Sequence, residues 1–229
     1  MYRHTEQGRR RQNERRHSII EATQRLVSQH GLGGVSVQAV AAEAGVATGT
    51  VYRYFDSKDA LTAEVLEAIC RRELHLVAAI VDTPDLSATQ RLADAVACFG
   101  RRTLAGGRTA YSVIAEPSVA SVEQLRTDLR RDLASTFASV VADGVASGEF
   151  DVAVPDVAGV AIVGAVSEVL VGPVGARPLD VEGRTAAVVD DVVALVLRMV
   201  GSATPHVEPS PLVGIGRSAA VAGSAGGER

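Results

Sequence analysis

Val122, Leu125, Leu129, Leu133, Phe137, Val140, Val141 and Gly144 recur at three- and four-residue spacing. That period puts them on one stripe of an amphipathic α-helix, and Gly148 stands at its end. The same period governs the rest of the chain: Ile19, Ala22 and Leu26 follow it, as do Ile20, Thr23 and Val27. No segment alternates apolar and polar residues over a strand length, and no repeat of about 20–50 residues is visible. The expected fold is all-α.

Glycine, proline and capping residues divide the chain. A first helix is expected over about 11–30, stopped by Gly31. Ser36 can cap a short helix from Val37 that ends at Gly45. A third runs over about 48–54. Asp56 and Ser57 lead into a long fourth, about 58–81, and Thr83-Pro84-Asp85 breaks the chain. Ser87 opens a helix to about Ala105, ended by Gly106-Gly107, and a short one follows from Arg108 to Ala115. The amphipathic helix occupies 119–147. Pro155 suits the first turn of the next, 155–171, which Gly172-Pro173 closes. A last helix is expected over about 182–200. Beyond it the chain is rich in Pro, Gly, Ser and Ala, so 203–229 reads as a disordered tail.

Charge is unevenly placed. The net charge is −4, but residues 1–60 hold nine Lys and Arg against six Asp and Glu, and the remainder is acidic. A basic end on an acidic body suggests an anionic partner for that end only, or a solvated arm. Hydrophobic residues make up 47% and charged residues 22%, which excludes disorder as a whole. The most apolar stretch, Val157 to Ser167, is closed by Asp156 and Glu168 and is shorter than the roughly 20 residues a membrane span needs. The first 17 residues hold six Arg and no apolar run, unlike a secretory signal. Cys70 and Cys98 form no C-x-x-C pair, so neither a disulfide scaffold nor a cysteine zinc site is expected, and a cytoplasmic location is the simplest.

Residues 37–56 carry the informative chemistry. Val40, Ala41 and Ala44 face inward on a two-turn helix, and Gly45 supplies a left-handed turn. Val46 plugs the corner, and Val51 with Tyr54 or Phe55 packs the second helix back. Small Ala41 lets the two helices cross closely, as in a helix-turn-helix. The second helix presents Ala47, Thr48, Gly49, Thr50, Tyr52 and Arg53 outward, small enough at its start to enter a major groove. Thr48 and Thr50 can reach bases or phosphates, whereas the tyrosine hydroxyls and Lys58, the only lysine, suit phosphates.

The run from Ile19 to Leu61 resembles the DNA-binding domain of the TetR family of transcriptional regulators. The residues that carry the likeness are IIEAT at 19–23, SVQAVAAEAGVATGTVYRYF at 36–55 and SKDAL at 57–61. The resemblance implies that Ser36 binds a phosphate while capping its helix and that Gln38 touches backbone or a base edge. It places Ala47, Thr48, Gly49 and Thr50 in the groove, with Tyr52, Tyr54 and Lys58 clamping phosphates. Ala47 departs from a common Ser, and Thr48 stands where a basic residue is frequent. Arg9, Arg10, Arg11, Arg15 and Arg16 have two readings: contacts to the minor groove or flanking phosphates, or a solvated arm.

The resemblance also implies a homodimer on a palindromic operator of double-stranded DNA, with an effector pocket between about 60 and 150. The implied division is a flexible basic arm at 1–10, a three-helix helix-turn-helix domain at 11–56 and a larger helical ligand-binding and dimerisation domain at 57–202. Candidate pocket liners are Phe99, Arg102, Tyr111, Glu116 and Phe137. The scarcity of aromatics leans toward an aliphatic or small polar effector. Candidate dimer residues are Ala158, Ala161, Ile162 and Ala165 on one helix and Val189, Val192, Val193 and Val196 on the last; intrachain packing is the rival reading.

No H-E-x-x-H, G-x-S-x-G or Walker loop is present, so no catalytic, metal or cofactor site is expected. The G-x-G-x-x-A match at 214–219 lies in the tail and follows no strand. A sequence-independent architectural DNA binder is the other rival, and the acidic body argues against it. The expectation is a ligand-responsive transcriptional regulator, a repressor in preference to an activator.

Overall fold

A computed structural model describes residues 6–174 and 185–204 of the 229. The expected tail from 205 onward, the end of the arm at 1–5 and the segment 175–184 lie outside the described residues. Among the described residues every regular element is helical: α1 Glu6–His30, α2 Val37–Glu43, α3 Thr48–Tyr52, α4 Lys58–Val81, α5 Ala88–Ile114, α6 Ala120–Ser147, α7 Pro155–Val174 and α8 Thr185–Met199. A 3-10 turn, Leu32–Gly34, joins α1 to α2.

Local chemistry sets most of these boundaries. The hydroxyls of Ser36, Ser57 and Ser87 accept from the N–H groups of Ala39, Ala60 and Gln90, each closing an open first turn. Gly148 ends α6 in the left-handed region at φ 79°.

Three boundaries differ from expectation. First, α1 begins at Glu6, inside the segment expected to be a flexible arm. Residues 6–18 are Glu-, Gln- and Arg-rich, so they favour a helix, but they are solvated and carry no apolar period. Second, Gly106-Gly107 does not separate two helices. The hydrogen-bonded run continues through Gly107, which sits at φ 48° and ψ −121°, and the helix kinks there. Third, α7 runs through Gly172-Pro173 to Val174, since proline's fixed φ is itself helical.

Two hydrophobic cores form, and they do not divide at residue 56. The smaller joins Ile19, Val27, Val40, Val51 and Phe55 to Leu61, Val65 and Leu66 of α4 and to Val122 of α6. The larger joins Val77 and Val81 of α4 to α5, α6, α7 and α8, with Phe137, Ile162, Leu170 and Leu197 fully enclosed. At about 36 Å, α4 is long enough to serve both.

In the larger core α6 and α7 approach closely at Gly159. A Cβ there would lie 2.2 Å from the Ala134 carbonyl oxygen and 3.0 Å from the Ala138 nitrogen. Both obstacles are backbone or bound to it, so the helices would have to separate. Gly159→Ala is expected to destabilise the fold by about 1–3 kcal/mol through overpacking, against a gain below about 1 kcal/mol in helix propensity. Urea unfolding measures the difference; a variant as stable as the parent would refute the close approach.

Candidate nucleic-acid interface and the groove behind it

The helix-turn-helix is assembled as its residues dictate. Gly45 takes φ 65°, and the Val46 N–H donates to the Ala41 carbonyl at 2.9 Å, closing the turn. Val40, Ala41 and Val51 bury the contact between α2 and α3. The outer surface then carries Gln38, Ala47, Gly49, Tyr52, Arg53 and Lys58 exposed, with Ser36, Thr48, Thr50 and Tyr54 half-buried. All ten sequence candidates therefore have some access to solvent. A Cβ at Gly49 would meet nothing within 4 Å, so its smallness answers no need inside this chain. The Arg53 guanidinium lies 5.4 Å from the Tyr54 ring.

Of the basic residues before this unit, Arg9, Arg10, Arg11 and Arg15 are exposed on α1. Arg16 is committed elsewhere. It donates to both carboxylate oxygens of Glu64 at 2.5 and 2.7 Å and lies 5.1 Å from the Phe55 ring. It therefore ties α1 to α4 within the head.

The five candidate effector contacts do not come together. Phe99 and Phe137 are enclosed in the larger core, and Tyr111 is half-buried. Arg102 forms a two-pronged pair with Glu73 at 2.6 Å on each prong. Glu116 faces the head, where its carboxylate accepts from the Leu32 N–H at 2.9 Å and the Gly33 N–H at 3.2 Å. None of the five lines the groove of about 840 Å³ that opens between the end of α5, α6 and α7. Its walls include Ile114, Arg126, Arg130, Val160, Val163 and Val171, and no aromatic residue.

Arg126 is the residue that sequence reasoning missed. It is 5% exposed and donates through Nε to the Val113 carbonyl at 2.8 Å and through Nη2 to the Ser112 carbonyl at 2.7 Å. It also bonds the Glu116 carbonyl and pairs with Glu123. The available signal was an arginine four residues after Val122 and seven before Leu133, in line with an apolar stripe.

The expected dimer residues need correction. Ile162, Val189, Val192, Val193 and Val196 are buried within this chain, and Ala158 and Ala165 are half-buried. Only Ala161 of the eight is exposed. The cause lies in composition. Helix α7 is apolar nearly all round, so its sequence does not say which stripe faces in, and α5 takes the valine face of α8. The outward apolar surface is instead Val157 and Val160, each 64% exposed, with Val169, Leu195 and Met199. Among the described residues Pro155–Gly172 is long and apolar enough by composition to cross a membrane, and 28% of it is buried.

The two cysteines are poor sensors. Burial is the main force pushing the Cys70 thiol up to about 12, and burial likewise raises Cys98. No group of three or more potential metal ligands occurs among the described residues.

Two family models match this chain. One, described as bacterial regulatory proteins of the tetR family, covers residues 19–65, and the other, a tetracyclin repressor-like C-terminal domain, covers 85–171. The chain belongs to the TetR family. Its similar relatives include the HTH-type transcriptional repressor KstR of Mycobacterium tuberculosis, 45% identical over 27% of this chain and 28% of that one. KstR of Rhodococcus jostii is 49% identical over 24% of this chain and 26% of its own. The matched stretch is thus little more than a quarter of these relatives' length. Among solved structures, FadR of Bacillus subtilis, in complex with stearoyl-CoA, gives a TM-score of 0.65 at 21% identity, covering 78% of this chain and 96% of that one. SmeT, the repressor of a Stenotrophomonas maltophilia multidrug efflux pump, gives 0.71 at 16%, covering 86% and 97%. At these identities the likeness is one of fold.

Glu116 makes a pH dependence of the TetR-family chain calculable in sign. Burial raises its pKa, but the Leu32 N–H, the Ser112 hydroxyl and the Gly33 N–H outweigh it and hold the carboxyl below its usual value. Its stabilising contribution is therefore complete above 4.5, the usual value, and is lost as pH falls through the lower folded one. The stability difference between the parent and Glu116→Gln, read by urea unfolding, should be largest at neutral pH and shrink below 4.5. A difference that does not vary with pH would mean that the charge contributes nothing.

Proposed function

We propose that this chain is a sequence-specific regulator, a repressor, that reads a palindromic operator in duplex DNA as a homodimer and is released by a small-molecule effector. The observation that carries the reading is the open face of α2 and α3, where Gly49 is small without any internal reason. A small residue there lets the backbone of α3 come close to base edges in a major groove. The repressor names of the relatives that share the reading head support the same direction.

The second copy is proposed to cover the outward faces of α7 and α8 around Val157, Val160, Ala161, Leu195 and Met199. Exposed apolar surface of this kind favours a protein partner, and Gly164, open on the same face, permits close helix approach. A dimer interface also accounts for the apolar character of α7 without a membrane, and it suits a protein of the cytoplasm. The effector is proposed to lie in the groove between α6 and α7. Aliphatic walls and the arginines at 126, 130 and 131 favour an amphipathic anion over a flat aromatic compound. The stearoyl-CoA held by the FadR structure has that chemistry. No catalytic role is proposed.

Selection of the purified protein on random duplex DNA at moderate salt tests the core of the reading. The expected result is an enriched palindrome with half-sites about one helical turn apart. Equal binding to all duplexes would favour an architectural role instead.

Gly49→Ala separates folding from reading. It should raise stability by up to about 1 kcal/mol, because alanine favours the helix, while weakening operator affinity. Unchanged affinity would remove α3 from the groove. In the same assay, Lys58→Ala should flatten the dependence of log affinity on log salt by about one unit, as loss of one phosphate contact requires.

A further inference from the structure

We infer that the Glu116 carboxylate is a latch that fixes the tilt of the reading head, and that Arg126 ties this latch to the groove between α6 and α7. The inference rests on the regulator reading for its purpose, and its geometry stands without it.

The head side is shaped around one carboxylate. Oε2 of Glu116 accepts from the Leu32 N–H at 2.9 Å and the Ser112 hydroxyl at 2.5 Å, and Oε1 accepts from the Gly33 N–H at 3.2 Å. Gly31 sits at φ 70°, and a Cβ there would lie 2.9 Å from both carboxylate oxygens. Three consecutive residues, 31–33, thus accommodate the same group. They form the joint between α1 and α2, so a change in their position is a change in the tilt of the helix-turn-helix.

The body side connects to the groove. Arg126 holds the carbonyls of Ser112, Val113 and Glu116, and Ile114, Ala115 and Glu123 line the groove beside it. A guanidinium so buried and so fully bonded moves with its helix and takes its partners along. The partners are free to follow. The kink at Gly107 interrupts the regular path of α5 upstream, and the helix ends at Ile114 just before Glu116. A shift of α6 caused by an occupant therefore passes through Arg126 to 112–116 and from Glu116 to Leu32. A plain staple between domains would add stability with no link to the groove.

The test reads head position directly. Spin labels on cysteines introduced at exposed Ala42 and Ala153 report the distance between head and body, with excess unlabelled chain suppressing pairs between subunits. Glu116→Ala should shift or broaden that distance, and Glu116→Gln, which offers one acceptor for two N–H groups, should do so less. A folded variant whose distances superpose on the parent's overturns the latch; if the alanine variant fails to fold, the glutamine variant decides alone. Ser135→Trp then fills the groove from α6 without an effector. It should move the head in the parent and not in the Glu116 variant. Equal movement in both backgrounds, or none in the parent, overturns the link to the groove. Operator affinity of Glu116→Ala should fall about tenfold, within the usual range of couplings between sites; unchanged affinity would overturn the latch as a regulator of binding. Distances need no DNA, so a parent that binds no duplex sinks the regulator reading and leaves the latch to be judged by the labels.

Discussion

One helix lies in two cores at once, and the rest of the arrangement depends on it. The first turns of α4 bury Leu61, Val65 and Leu66 in the head, and its last turns bury Val77 and Val81 in the body. A helix resists bending over this length because every interior carbonyl is tied to an N–H four residues on. Each core therefore constrains the other through a stiff rod. Its start is fixed by Ser57, and Arg16 on Glu64 holds α1 against it. The head is thus rigid within itself and restrained, by few contacts, against the body. The Glu116 carboxylate is among those few.

The sequence was most legible where local chemistry decides the outcome. Ser36, Gly45, Val46 and Val51 determine the helix-turn-helix within a short span, and each does in the fold what its type suggests. The limits of α4 followed from Ser57 and from Thr83-Pro84-Asp85 in the same way. Legibility failed where a residue's partner is remote. Glu116 was read as a pocket group because an acid amid aliphatic neighbours looks like a ligand contact. Its partners are backbone groups over eighty positions away, which no period in the sequence encodes.

Faces were harder to read than helices. A stripe is visible only against a polar background, and α7 offers almost none. Its inward side was decided by Gly159, where α6 comes close, and by Ile162, Val166 and Leu170 in the core. The valines of α8 were rightly seen as an apolar face, but α5 claims them first, and Val189 lies 3.3 Å from where a Cβ on Gly100 would stand. An apolar face tells that something covers it. Competition among neighbours, which is a property of the whole fold, tells what.

The outward side of α7 has two roles that share residues. Val160 and Gly164 belong both to the exposed surface of the helix and to the wall of the groove. Whatever is seated against α7 from outside becomes part of the boundary of that cavity. Occupation of the groove and covering of the helix are then linked equilibria, and each changes the apparent strength of the other by mass action. The quantity of this protein in a cell thereby becomes an input alongside the quantity of any small molecule. A scarce chain and an abundant one would answer the same concentration of ligand differently, with no change in a single residue.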